Sequence, residues 1–122
     1  MRDIETNVVA VKSKAFAIHC IRLRSYLVNE KHEYELSKQL LRSGTSIGAN
    51  IKEALRGQSR QDFGAKLNIA LKEASESEYW IELLTEAEFL SKEQGESLLQ
   101  DCRELLKLLM SIVHTVLDEG RQ

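Results

Sequence analysis

The chain is predicted to be all-α, an up-down-up-down antiparallel four-helix bundle, on three observations. Its 122 residues include no proline and only 6% aromatics, whereas a sandwich or barrel would be more heavily punctuated by turns. Apolar residues recur at spacings of three and four in four successive stretches, the period of an amphipathic helix. The polar breaks between those stretches are short, so each helix must fold back against the one before it.

The first stretch predicts a helix over about 4–29. Phe16, Cys20, Leu23 and Leu27 share one face, and Val8, Val11, Ala15 and Ile18 lie beside it, which makes a broad apolar surface. Asn29-Glu30-Lys31-His32 interrupts the pattern.

The second helix is expected over 33–56. Leu40, Gly44, Ile47, Ile51 and Leu55 fall on one side, with Arg42, Ser46, Asn50 and Glu53 roughly opposite. Gly44 and Gly48 inside it cost about 1 kcal/mol each relative to alanine, so a neighbouring backbone is expected to approach where a side chain would block it. The segment lacks the Gly-Lys-Ser/Thr ending of a phosphate loop, and packing is its first reading. Gly57 follows as a C-terminal stop.

Ser59, with Asp62 three residues later, supplies an N-cap and an early acidic group for a third helix over 59–88. Phe63, Leu67, Ala70, Ala74, Ser77 and Ile81 form its core face. Ala65, Ile69, Trp80, Leu83 and Ala87 make a second stripe about a third of a turn away. One apolar stripe satisfies a monomeric bundle, so Ile69, Trp80 and Leu83 are candidate oligomer-interface residues. For Trp80, the only tryptophan, a core place and an interface place are equally open.

Ser91 and Gln94 have the spacing of a capping box and open a fourth helix over 91–118. Leu98, Cys102, Leu105, Leu109, Ile112 and Val116 then alternate spacings of four and three, widened by Leu99, Leu106, Val113 and Leu117. No linker or internal repeat divides residues 1–122, which are expected to form a single domain.

The net charge of −2 hides an asymmetry between the halves. Residues 1–62 carry 11 Lys and Arg against 7 Asp and Glu, whereas residues 63–122 carry 6 against 12. On the second helix Lys38, Arg42, Lys52 and Arg56 point within about a quarter-turn of one another, with Arg60 just beyond. That edge is the candidate contact for RNA or DNA. The simpler reading is a solvated face, or pairing with Glu73, Glu76, Glu82 or Glu86 of another subunit. No aromatic series interleaves these bases to stack single strands.

No cofactor, metal or catalytic residue is expected. His19, His32 and His114 lack an acidic residue three positions earlier, the spacing that a carboxylate-bridged metal bundle needs. Ser43 and Ser46 have no histidine or lysine base at helical spacing. Cys20 and Cys102 sit among apolar residues as reduced core side chains. No apolar run is long enough to span a membrane, and Asp3, Glu5 and Asn7 stand where a secretory signal would be apolar. A cytoplasmic protein is expected.

Arg42 through Ile51, followed by Glu53, Ser59, Asp62-Phe63, Leu67-Asn68-Ile69-Ala70 and Glu78-Tyr79-Trp80, resembles the bacterial four-helix-bundle family named after intervening sequences in 23S ribosomal RNA. The resemblance implies an up-and-down bundle that assembles as a homopentameric ring, with Arg42, Ser43, Ser46, Asn50 and Glu53 as motif residues. A related branch, the accessory variability proteins of diversity-generating retroelements, uses a basic surface to contact nucleic acid and a reverse transcriptase. This chain departs from that branch in being net acidic, and Lys52 stands where many relatives have a small residue. The resemblance supplies no catalytic residue. The motif polar groups are expected to be structural, at a helix contact. The expected function is a non-enzymatic oligomeric scaffold or adaptor with an unidentified protein partner; the alternative is nucleic-acid binding through the second helix.

Overall fold

The computed structural model describes residues 2–120, with side chains for residues 6–119, so both ends of the expected 1–122 domain lie outside the described residues. Four helices follow one another: α1 (Arg2–Lys31), α2 (Glu35–Leu55), α3 (Arg60–Glu86) and α4 (Lys92–Gly120). Their ends differ from the expected ones by one or two residues: α2, α3 and the start of α4 lie inside the expected bounds, because capping residues stand just outside the turns that they close, whereas α1 and the end of α4 run two residues further. The Ser59 hydroxyl accepts the Asp62 N–H at 3.0 Å ahead of α3. Ahead of α4, the Ser91 N–H donates to Gln94 Oε1 at 2.9 Å and the Gln94 N–H donates to Ser91 Oγ at 3.1 Å.

The start of α2 has a different solution, centred on Glu33. Its buried carboxylate accepts three backbone N–H groups, those of Glu35, Leu36 and Ser37, at 3.1, 2.9 and 2.7 Å. The Ser37 hydroxyl donates back to the Glu33 carbonyl at 3.0 Å. His32, at φ 54°, makes the left-handed turn ahead of this cap. Gly57, expected to stop α2, has no positive φ. The helix closes instead through Arg56 and Gly57 N–H groups on the Glu53 and Ala54 carbonyls. The missing side chain at Gly57 makes room for α3, since a Cβ there would lie 2.6 Å from Asp62 Oδ2.

At every seam the contacts run in reversed order along the chain. Cys20 faces Gly44 and Ser13 faces Gly48 between α1 and α2. Ser43 meets Ser77 and Glu53 meets Lys66 between α2 and α3. Gly64 faces Val116 and Gly95 faces Thr85 between α3 and α4. Neighbours therefore run antiparallel. α1 also meets α4, through Lys12–Glu104 at 2.5 Å and His19–Asp101 at 4.0 Å, but this is the thinnest of the four seams. A groove of about 660 Å³ runs along it, lined by Lys12, His19, Arg22, Tyr26 and Asp101 among others. Among the described residues the backbones of α1 and α3 do not approach each other, nor do those of α2 and α4, so the helices stand as a square around the core.

The core holds Leu27, Leu40, Ile47, Ile51, Leu67, Ile81, Leu105 and Leu109, each at most 1% exposed. Leu55, assigned to the core side of α2, is 48% exposed, and Ala54 is buried instead. The buried positions Ser37, Leu40, Gly44, Ile47, Ile51 and Ala54 alternate steps of three and four. A heptad therefore leaves Ile51 by a step of three, and Leu55 falls outside it. Phe63, also assigned to the core, is half-buried beneath the Arg60 guanidinium, 4.8 Å from its ring centroid. Val116 is half-buried beside Gly64.

Candidate functional site

The motif residues of α2 separate into three environments. Ser43 is fully buried and forms a 2.8 Å hydroxyl pair with the buried Ser77 of α3. Each hydroxyl has one proton. Ser77 donates to the Glu73 carbonyl at 2.9 Å, which leaves its oxygen to accept from Ser43. The pair is therefore satisfied without water, and the short side chains let α2 and α3 approach closely. Ser46 and Asn50 are half-buried and bonded along their own helix, Asn50 Nδ2 donating to the Ser46 carbonyl at 2.8 Å. Glu53 is exposed and pairs with Lys66 of α3 at 3.1 Å. Ser43 and Glu53 thus lie at a helix contact, one buried and one at the surface.

The basic edge is divided by acidic residues of α3 and α4. Arg42 lies between Glu73, at 3.2 Å, and Glu76, and bonds both within the same chain. Arg60 pairs with Glu119 at 2.7 Å while stacked on Phe63. Lys38, Lys52 and Arg56 are exposed with no ion pair among the described residues. Two of the five cations are therefore balanced by neighbouring carboxylates, which weakens the field that this edge offers to a phosphate.

The three candidate interface residues also differ. Ile69 is 41% exposed on the outer side of α3, whereas Trp80 and Leu83 are half-buried. Trp80 packs against the core edge, its ring centroid 5.3 Å from that of Tyr79. Its indole N–H is buried without an acceptor among the described residues, a cost of about 1–3 kcal/mol that the ring's burial must outweigh. Periodicity marked Val8, Val11 and Ile18 as part of a broad apolar surface on α1 without assigning it to an interface, and there Val11 and Ile21 are 71% and 52% exposed and Ile18 is 40% exposed. The signal was the unusual breadth of apolar residues around that helix.

Among the described residues no three His, Cys, Asp or Glu side chains gather as metal ligands. Cys20 and Cys102 are free and buried. Burial pushes each thiol up to about 12, with Cys102 adding to the effect on Cys20 and Glu78 adding to the effect on Cys102. The Cys102 thiol donates to the Ala74 carbonyl at 3.3 Å. The raised folded-state values set a sign: protonated thiols cost nothing below the ordinary 9.0, and stability is lost between there and about 12, as the unfolded chain ionises first. The urea midpoint is expected to fall as pH rises from about 8 to about 10.5. The double variant Cys20→Ala with Cys102→Ala should show a shallower fall; an equal slope would assign the alkaline loss to other groups.

A family model described as 23S rRNA-intervening sequence protein matches residues 5–111. A 1.70 Å crystal structure of a protein with unknown function from the S23 ribosomal protein family, from Bacteroides thetaiotaomicron VPI-5482, is 56% identical to the chain. That match has a TM-score of 0.88 and covers 90% of this chain and 98% of that one. No curated protein matches the chain.

Proposed function

Because the chain belongs to the 23S rRNA-intervening sequence protein family, we propose that it is a non-enzymatic helical scaffold that assembles with copies of itself and serves as an adaptor for a protein partner. The observation that carries this reading is the apolar surface left outside the packed core. Val11, Ile21, Met110 and Leu117 are each more than half exposed, and removing such side chains from water stabilises an assembly by about 25 cal/mol per Å². A closed ring, a pentamer by resemblance to the family, would cover them. No described helix is long and apolar enough to cross a membrane. The reading places the protein in the cytoplasm, where its buried thiols stay reduced.

Light scattering at micromolar concentration is expected to give a mass several times the 13.9 kDa of one chain. A monomer mass under those conditions removes the scaffold reading.

A second reading, binding of RNA or DNA, is favoured by Lys38, Lys52 and Arg56, which remain exposed and unpaired. Phosphate contacts release counterions, so retention of nucleic acid would weaken steeply with salt. The informative variant is Lys52→Glu with Arg56→Glu, because Arg42 is already engaged by α3. Loss of salt-sensitive retention at unchanged oligomer mass supports this reading; absence of retention by the parent at low salt removes it.

A further inference from the structure

The two flanks of α4 are unlike, and the difference opens a groove. Toward α3, Leu99, Leu106 and Val113 pack on the core, so that seam is filled. Toward α1, the helix presents Gln94, Asp101 and Glu104, all exposed. Without apolar bulk the α1–α4 seam stays thin, and the groove of about 660 Å³ runs along it. Small-molecule sites have volumes of roughly 300–1,000 Å³. Phe16 and Leu23, both buried, give this groove an apolar floor, and the exposed Ala15 lies beside them.

Charge is not balanced evenly along its length. Lys12 meets Glu104 at 2.5 Å and His19 faces Asp101 at 4.0 Å, so both carboxylates that line the groove have a partner. Past them the donors continue alone. Arg22 and the Tyr26 hydroxyl have neither an ion pair nor a hydrogen bond among the described residues. The Gln94 side chain uses its oxygen to accept the Ser91 N–H at 2.9 Å, and its NH2 group has no acceptor among those residues. Arg22 stands one turn from Tyr26, about 6 Å along α1. Tyr26 and Gln94 together mark the end of the groove, because both also line a second hollow under the α3–α4 connection. That hollow has mixed charge, Lys31 and Lys92 with Glu86 and Glu88, whereas the groove end has unmatched donors alone.

We propose that the Arg22 end of this groove binds a small amphipathic anion, its carboxylate or phosphate head on Arg22, Tyr26 and Gln94 and its apolar body along Phe16 and Leu23. An anionic head is the group that accepts from several donors at once, and the guanidinium fork matches two oxygens of either head. A cation would find no free carboxylate in the groove, since Asp101 and Glu104 are engaged. The body extends the core outward over Ala15 and takes apolar surface from water. The site lies within one chain, so it does not depend on self-assembly. A ligand there touches α1 and α4 together, and binding to the folded state raises stability as its concentration rises.

Calorimetric titration of the full chain with octanoate and with octyl phosphate tests this, against inorganic phosphate and 1-octanol. At least one of the two amphiphiles is expected to saturate at one per chain and to raise the thermal midpoint. The controls lack either the body or the head and should bind about tenfold more weakly or worse. Whichever amphiphile binds more tightly identifies the head. Arg22→Gln is expected to weaken binding about tenfold, the loss of a hydrogen bond to a charged group. Lys14→Gln removes the same charge from α1 at a position that does not line the groove, and should leave affinity unchanged. Both residues are exposed, so circular dichroism should show unchanged helicity. Tyr26→Phe, which removes a hydroxyl alone, should weaken binding about threefold and serves as the second variant should Arg22→Gln lose helicity.

Failure of the parent to bind either amphiphile overturns the proposal. So does an Arg22→Gln chain that binds as the parent does, or equal weakening by Arg22→Gln and Lys14→Gln, which would reduce the attraction to general charge. Octanol binding as tightly as the two anions would show that no head is recognised, and overturns it as well.

Discussion

Replacing Gly44 with leucine is expected to destabilise the fold by about 3 kcal/mol, although leucine is the better helix former. A Cβ at Gly44 would stand 2.5 Å from Cys20 Sγ and 3.4 Å from the Phe16 ring. Cys20 and Phe16 are 1% and 2% exposed, so neither can swing into water to make room. The remaining leucine atoms must push α1 away from α2. Gly48 supplies the control: a Cβ there would be 3.2 Å from Ser13 Oγ, at a half-buried position. Gly48→Ala should change stability little, a small displacement of Ser13 offsetting the roughly 1 kcal/mol of helix propensity gained. Thermal or urea denaturation reads both. A Gly44→Leu chain as stable as the parent would show that the α1–α2 seam is not held at this spacing.

Removing the Glu33 carboxylate should be the next most costly change. In Glu33→Ala the amides of Glu35, Leu36 and Ser37 lose a charged acceptor at a buried helix start. Caps and hydrogen bonds to charged groups are worth about 1–3 kcal/mol, and about 2 kcal/mol is expected here. The loss should appear as a lower urea midpoint at unchanged slope, because the native and unfolded surfaces are otherwise alike. Glu33→Gln keeps one acceptor oxygen and should lose less. Equal stability of Glu33→Ala and parent would mean that water replaces the carboxylate at no cost.

The features legible in the sequence were those decided within a turn or two of helix. Ser59 and the Ser91–Gln94 pair cap α3 and α4 through bonds spanning three residues. The α4 heptad from Leu98 through Ile112 is buried as its spacing required, and Gly44 and Gly48 meet α1 where side chains would obstruct it. Periodicity could not show which turn of α3 lies beside which turn of α2. The partners of Arg42, 31 and 34 residues ahead, depend on that register. The expected pairing with Glu73 and Glu76 was chemically apt, but it forms within one chain. Glu33 was missed because an acidic side chain at a helix boundary is ordinarily solvated, whereas His32 turns the chain left-handed ahead of this one. The breadth of apolar residues on α1 was visible, but which side would stay outside depended on α2 and α4 occupying the other.

The thin seam between α1 and α4 also bears on the order in which the molecule forms. Three seams join consecutive helices, each closing a short connection, whereas the fourth must bring the two ends of the chain together across the whole bundle. Loop closure over that span costs more entropy than a local hairpin, and sparse packing returns least for it. The route of lowest barrier is therefore expected to build the α1–α2, α2–α3 and α3–α4 hairpins first and to bring α1 onto α4 last. A topology whose rewards are mostly local has the low contact order of a fast folder, and on the way out the same long-range closure is the first to open.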